Sequence, residues 1–253
     1  MDPKQRFSDR VENYVRYRPG YPAEIMRLLM DRCDLRAESV VADIGSGTGL
    51  LAELFLAHGC RVYGVEPNEA MRAAGEQLLA RYAGFTSVNG SAEESGLADA
   101  CADFVTAGQA FHWFKPEEAG RELRRISRPG AWTVLVWNER RLDSTPFLRA
   151  YEDLLQRFAT DYREVNHRNV EQDEALIARF FGGPYREARF DNRQIFDLAG
   201  ARGRLLSSSY APTESSPNYA AMLATLEEIF SHYQSGGKVA FEYDTQVFYG
   251  HLE

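Results

Sequence analysis

Short apolar runs alternate with longer segments of helical period along residues 39–137. Ser39–Asp43 (SVVAD), Arg61–Glu66 (RVYGVE), Phe85–Val88, Ala102–Ala107 (ADFVTA) and Trp132–Trp137 (WTVLVW) have the length and side-chain character of strands. Between them, Leu50–His58 (LLAELFLAH), Asn68–Tyr82 and Pro116–Arg128 read as helices. Asn68 caps the second. The third has Glu117 and Glu118 in its first turn and Arg124, Arg125 and Arg128 near its end, matching the helix dipole. Pro129-Gly130 predicts a turn into the fifth strand. Ahead of the block, Pro22 suits the first turn of a helix with Ile25, Met26, Leu29, Met30 and Cys33 on one side.

The second half is less regular. Ser144–Tyr162 carries Phe147, Leu148, Tyr151, Leu154, Leu155 and Phe158 at helical spacing. Tyr185–Arg193 predicts a strand and Val239–Tyr249 a closing strand. Pro217–Tyr233 predicts a helix with Tyr219, Met222, Leu223, Leu226, Ile229, Phe230 and Tyr233 inward. Strands alternating with helices imply βαβ units, right-handed crossovers and a parallel sheet. The expectation is one α/β domain over residues 39–253, with helical insertions in 140–236. Residues 1–38 form an N-terminal helical extension that serves as a lid.

Composition narrows the function. The 253 residues carry a net charge of −8, which argues against gripping nucleic acid through its phosphates. No apolar run approaches the roughly 18 residues of a membrane span, and the charged start MDPKQRFSDR lacks a signal-peptide core. Cys33, Cys60 and Cys101 are scattered and odd in number, which fits a reducing, cytoplasmic setting. No Cys/His cluster predicts a metal site.

The sharpest signal is Asp43-Ile44-Gly45-Ser46-Gly47-Thr48-Gly49 between the first strand and first helix. In open α/β sheets ligands bind there, outside the carboxyl ends of strands. The spacing is G-x-G-x-G rather than the dinucleotide G-x-G-x-x-G, and Leu50 stands where a third glycine would be. Asp43 suits a cationic ligand end better than a pyrophosphate. Glu66, 17 residues after Gly49, can accept both hydroxyls of a ribose. Ribose and ammonium without phosphate describe S-adenosylmethionine.

These residues resemble class I S-adenosylmethionine-dependent methyltransferases, and within them the trans-aconitate methyltransferase-like small-molecule group. The resemblance is carried by Val41–Gly49, Val65-Glu66-Pro67-Asn68, Gly90-Ser91-Ala92-Glu93, Ala110-Phe111-His112-Trp113-Phe114 and Arg128-Pro129-Gly130. Weaker matches flank it at Phe7, Tyr14, Tyr17–Pro22 and Phe241–Thr245. It implies a Rossmann-like, doubly wound, mostly parallel seven-stranded sheet with an antiparallel closing strand. It also implies that Asp43, Gly45, Ser46, Gly47 and Gly49 hold the methionine portion and Glu66 and Pro67 the ribose side. Ser91 and Ala92 would face the adenine, and Gln109 and Ala110 would line the path to the sulfonium.

On the acceptor side, His112 follows the fourth strand and is a candidate general base, or a residue that orders its loop. Tyr14, Tyr17 and Tyr21 would wall the cofactor or acceptor, or pack the extension onto the domain. Arg18 offers a planar fork to an acceptor carboxylate, or is a surface pair. Trp113 and Phe114 either wall the pocket or pack beneath the next helix. Asn138–Arg141, including Glu139, either contacts the acceptor or forms a charged loop. Leu206–Tyr210 shapes the acceptor pocket or makes a turn. The expected protein is a cytoplasmic monomer or homodimer that methylates a small molecule by in-line displacement, with neither nucleic acid nor membrane as partner. A regulatory protein that binds the cofactor without turnover, and an NAD-dependent oxidoreductase, are the rival readings.

Overall fold

The computed structural model describes residues 11–160, 162 and 174–253. Phe7 and the first ten residues lie outside them.

Seven strands form one sheet in the order β3-β2-β1-β4-β5-β7-β6. They are β1 (Val40–Ile44), β2 (Arg61–Val65), β3 (Phe85–Val88), β4 (Ala102–Gly108), β5 (Ser127–Arg140), β6 (Tyr185–Phe196) and β7 (Val239–Gly250). The first five pair in parallel. β7 runs antiparallel to both β5 and β6, so the closing strand is inserted between them and β6 holds the edge.

Helices cover both faces because side chains alternate along each central strand. Val41, Val134, Val136 and Val247 face one way, onto α2 (Glu24–Cys33) and α3 (Leu50–Ala57). Ala42, Ile44, Leu135, Trp137 and Phe248 face the other way, onto α5 (Pro116–Ile126) and α7 (Glu174–Phe181). α4 (Glu69–Leu79) opens at Asn68, whose side chain accepts the Met71 amide. A third apolar cluster joins α6 (Pro146–Phe158), α8 (Leu198–Leu206) and α9 (Tyr219–Tyr233) to Phe241 and Tyr243 at the start of β7. The extension divides in two. α2 buries Ile25, Met26, Leu29 and Cys33 in the main core, whereas α1 (Val11–Tyr17) lies beside α4 and α8.

Several elements depart from the pattern predicted. β5 runs through Pro129-Gly130, and six residues of β5 (Ser127 to Trp132) lie opposite three of β4 (Ala102 to Phe104). That bulge, with Gly130 at φ 79°, absorbs the residues expected to break the strand. β6 extends three residues past Arg193, to Phe196. Tyr233 is exposed at the end of α9 rather than inward. α7 and α8 lack a legible signal. α8 contains Gly200 and Gly203, which weaken a helix. Both are needed for packing: a Cβ at Gly203 would lie 2.1 Å from the Tyr17 ring, and one at Gly200 would lie 2.5 Å from Phe196. Asp197 compensates by capping the helix through the Gly200 amide.

Candidate active site

The chain reverses its direction of travel across the sheet between β1 and β4, which places a crevice at their carboxyl ends. The glycine loop rises from β1 there. Gly45 has φ 68°, and a Cβ on it would sit 2.6 Å from Ala110 Cβ, so the loops after β1 and β4 meet only because this residue is glycine. The loop amides are committed: Gly45 and Ser46 donate to the Val65 carbonyl at 2.8 and 3.1 Å, and Gly49 donates to the Ser46 carbonyl at 2.8 Å. Gly47 donates to Glu66 Oε2 at 2.9 Å. Gly49 lies behind the loop against Leu79.

Glu66 is clamped at both oxygens, since Oε1 accepts the Asn68 amide at 2.8 Å. Each oxygen keeps a lone pair for a ligand in the crevice. Burial raises its pKa, against the lowering effect of the two amides. Asp43 is 1% exposed. Its Oδ1 accepts the hydroxyl of Thr106, its register partner on β4, at 2.8 Å, while Oδ2 is buried without a partner. Burial raises the Asp43 carboxyl to about 7, with the Thr106 hydroxyl and the Ala52 amide opposing.

The main cavity has a volume of about 310 Å³. Of the residues expected to hold the cofactor, Gly45, Gly47, Glu66, Pro67, Ser91, Ala92, Gln109, Ala110 and Tyr14 line it. Asp43 and Ser46 line a recess of about 20 Å³ that shares Tyr14, Gly45, Gly47 and Gly108 with the main cavity. Tyr21 closes the recess, packed on Gly108 so closely that a Cβ there would lie 2.5 Å from its hydroxyl. The Ser91 hydroxyl accepts the amides of Glu93 and Glu94 at 3.3 and 3.2 Å and so orders its own loop.

His112, Trp113 and Phe114 all line the cavity. His112 and Trp113 sit on a single 3-10 turn, Phe111–Trp113, with Phe114 capping its end, held by the buried Phe111 ring 4.5 Å from Phe180 and 6.0 Å from Trp137. The Lys115 amide donates to Glu93 Oε1 at 2.9 Å, which ties this loop to the one after β3. Gln109, before the turn, has φ 55°, a conformation that non-glycine residues seldom adopt outside sites that need it.

Two acceptor-side expectations fall elsewhere. Tyr17 does not line the cavity: its ring fills the notch at Gly203 and meets Phe196 edge-on at 6.1 Å. Glu139 borders a separate small chamber, where its Oε2 accepts the Gln246 amide at 2.9 Å. Asn138 is a clasp. It donates to the Gly20 carbonyl and accepts from Thr245 and Asn192, joining the N-terminal segment to β5, β6 and β7. Arg18 lines both spaces and Tyr14 lies under its guanidinium at 5.1 Å.

The cavity also contains residues not singled out as cofactor contacts: Asn68, Met71 and Lys115, with Ser209 and Tyr210 from the segment after α8. Met71 follows the same helical period as core residues, and nothing in the sequence separates the two roles. Ser209 and Tyr210 belong to the Leu206–Tyr210 segment expected to shape the acceptor pocket.

Residues 42–135 match a family model described as a methyltransferase domain, a span running from β1 into β5. An uncharacterized methyltransferase of Mycobacterium tuberculosis is 37% identical over 138 residues, 53% of this chain and 52% of the relative. One from Schizosaccharomyces pombe is 31% identical over 156 residues, 60% of this chain and 59% of the relative. The chain thus spans between about half and three fifths of these relatives. Among solved structures, a candidate type II methyltransferase from Anaeromyxobacter dehalogenans superposes with a TM-score of 0.67 at 21% identity, covering 93% of this chain and 98% of that one. The YcgJ protein of Bacillus subtilis gives 0.56 at 18% identity, covering 92% and 100%. The fold is the Rossmann-like fold of methyltransferases.

Proposed function

We propose that the protein is an S-adenosylmethionine-dependent methyltransferase acting on a small molecule, of the group that resembles trans-aconitate methyltransferases. One observation carries the choice of cofactor. Gly45, Ser46, Gly47 and Gly49 all spend their amides inside the protein, and the loop is flanked by two buried carboxylates, Asp43 and Glu66. A dinucleotide needs free amides and a helix N-terminus for its pyrophosphate. A ligand with an ammonium and a ribose needs what is present: a partnerless buried oxygen of Asp43 in a small recess, and two fixed acceptor oxygens of Glu66.

In this reading Asp43, with Ser46 beside it, holds the ammonium, and Gly45, Gly47 and Gly49 shape the loop around the methionine portion. Glu66 accepts the ribose hydroxyls next to Pro67. Ser91 and Ala92 face the adenine on one side of the cavity, with Met71 on its floor. Gln109 and Ala110 border the sulfonium end, and α1 covers it through Tyr14. The cofactor, when bound, supplies an electrophilic methyl on a sulfonium and departs as a neutral thioether. The chain's own work is alignment and exclusion of water, which can remove about 7–11 kcal/mol of a barrier. His112 accepts the proton of an acceptor that still carries one, beside Trp113 and Phe114 as apolar wall. Tyr17 positions α1, and Glu139 borders the neighbouring chamber.

The acidic net charge supports an acceptor other than nucleic acid, and among the described residues no helix is long and apolar enough to cross a membrane. We infer a cytoplasmic monomer or homodimer. Calorimetric titration with S-adenosylmethionine, S-adenosylhomocysteine and NAD tests the reading. Saturable binding of the first two with none of NAD is expected; binding of NAD alone would overturn it. Binding of the first two with no transfer to any acceptor would favour the regulatory alternative.

A further inference from the structure

β6 closes one end of the sheet, with β7 on its inner side and, among the described residues, no strand on its outer side. It runs for 12 residues without a proline, and it pairs with β7 in one unbroken register, from Tyr185 opposite Gly250 to Phe196 opposite Val239. Long, regular edges of this kind are templates for another strand unless proline, a bulge or charge protects them. One face of β6 is committed to the chain's own fold. Ala188 and Phe190 pack on the α2–α3 core, and Asn192 and Gln194 donate to the carbonyls of Gly20 and Tyr17. The other face carries Glu187, Arg189, Asp191, Arg193 and Ile195, all exposed. Ile195, 53% exposed, is one of four large apolar side chains left in solvent among the described residues. Asp191 accepts from Arg141 through Oδ1, yet its side chain is 88% exposed.

The order of charges along this face is complementary to itself. A two-fold axis normal to the sheet pairs two copies of β6 antiparallel, and residues equidistant from the axis oppose one another on the same face. With the axis at Phe190, Glu187 opposes Arg193 of the second copy and Arg189 opposes its Asp191, and the same pairs recur on the other side. Every charge on the exposed face then meets its opposite. Moving the axis to Arg189 sets Arg189 against itself and Glu187 against Asp191. Moving it to Asp191 sets Asp191 against itself and Arg189 against Arg193. Axes at Ala188 or Asn192 keep one attractive kind of pair but shorten the overlap from 11 residues to 7 or 9. Like charges directly opposite are destabilising and unlike ones stabilising, so the charges that guard this edge against other strands select one register with its own copy.

We propose that the outer edge of β6 is a docking surface for a second copy of this chain, added antiparallel about a two-fold axis at Phe190. The two sheets then join edge to edge over a span of about 36 Å, at about 3.3 Å per residue. Backbone groups of the edge supply the affinity and the crossed ion pairs supply the register. Tyr185 covers Ile195 of the second copy at each end, and the two Phe190 rings meet at the axis on the opposite face. None of these residues lines the main cavity, so the dimer does not depend on the methyltransferase reading.

Sedimentation equilibrium of the full chain, from micromolar to millimolar, tests the surface. A monomer–dimer equilibrium is expected. Glu187→Arg and Arg193→Glu should each weaken association at least tenfold, because like charges then face each other near both ends of the strand pair. Both side chains are exposed, so circular dichroism and melting temperature should stay as in wild type. In a mixed pair each introduced charge meets an opposite one, and an equimolar mixture of the two variants should associate as wild type does. Neither neighbouring axis position gives that rescue. If either variant fails to fold, Arg189→Glu mixed with Asp191→Arg makes the same test. A chain that stays monomeric over the whole range, or a dimer that neither variant weakens, would overturn the proposal. So would two folded variants that remain monomeric when mixed. S-adenosylhomocysteine binding by a monomer sinks the surface alone, whereas a dimer that binds none upholds the surface and sinks the methyltransferase reading.

Discussion

Asp43→Asn is expected to make the ligand-free protein more stable and its cofactor site worse. The wild-type carboxyl ionises at about 7 in the folded chain against 3.8 when solvated. Between those values the folded state binds a proton that the unfolded state has released, so stability falls as pH rises from about 4 to 7 and stays low above. At pH 8 the penalty reaches up to about 4 kcal/mol, taking 1.36 kcal/mol for each pH unit between the two values. Asparagine keeps the shape and can still meet the Thr106 hydroxyl, but it cannot be charged. Its melting temperature at pH 8 should exceed wild type by up to about 10 °C, a gap that closes toward pH 4. Against that, losing a charge-assisted bond to an ammonium costs about 1.5–3 kcal/mol, or roughly 10- to 100-fold in affinity. Wild-type affinity for S-adenosylhomocysteine should fall as pH drops through 7 and Asp43 takes up its proton; the variant's should not follow. Denaturation scans from pH 4 to 8.5, with calorimetry over the same range, measure both. A variant less stable than wild type at pH 8, or one that binds cofactor as well, would refute the reasoning.

Gly203→Ala places a methyl against the Tyr17 ring and is expected to cost about 1–3 kcal/mol. It should also weaken cofactor retention by shifting α1 and Tyr14; unchanged affinity in a destabilised variant would show that α1 is packing and not cover. His112→Ala should lower turnover about 100-fold or more for an acceptor that must lose a proton, with cofactor affinity intact by calorimetry. Unchanged turnover would leave His112 as a residue that orders its loop.

The first five strands and their helices were readable from local apolar runs, which bury β1 and most of β4 on both faces though not β3, and their positions in the sheet follow from the crossovers. Asp43 and Glu66 were readable for a different reason: a carboxylate at the end of a buried strand is expensive, and it stood beside glycines that only a close approach explains. Beyond β5 the logic changes. α8 carries two glycines that argue against a helix; Gly203 leaves room for Tyr17, far away in sequence, and Gly200 for Phe196 at the end of β6. Gln194 binds the Tyr17 carbonyl and Asn192 that of Gly20, again across more than 170 residues. Such pairings leave no periodic trace. The same holds for Arg204: on the sequence it is one of many arginines, and only the arrangement of α1, α8 and β7 leaves it buried with no carboxylate partner among the described residues. The half of the site proposed for the cofactor is therefore written in local pattern, while the half that would choose the acceptor is written in long-range contacts. A change of acceptor could come about through α1, α8 and the start of β7 while Asp43, Glu66 and the loop between them stay as they are.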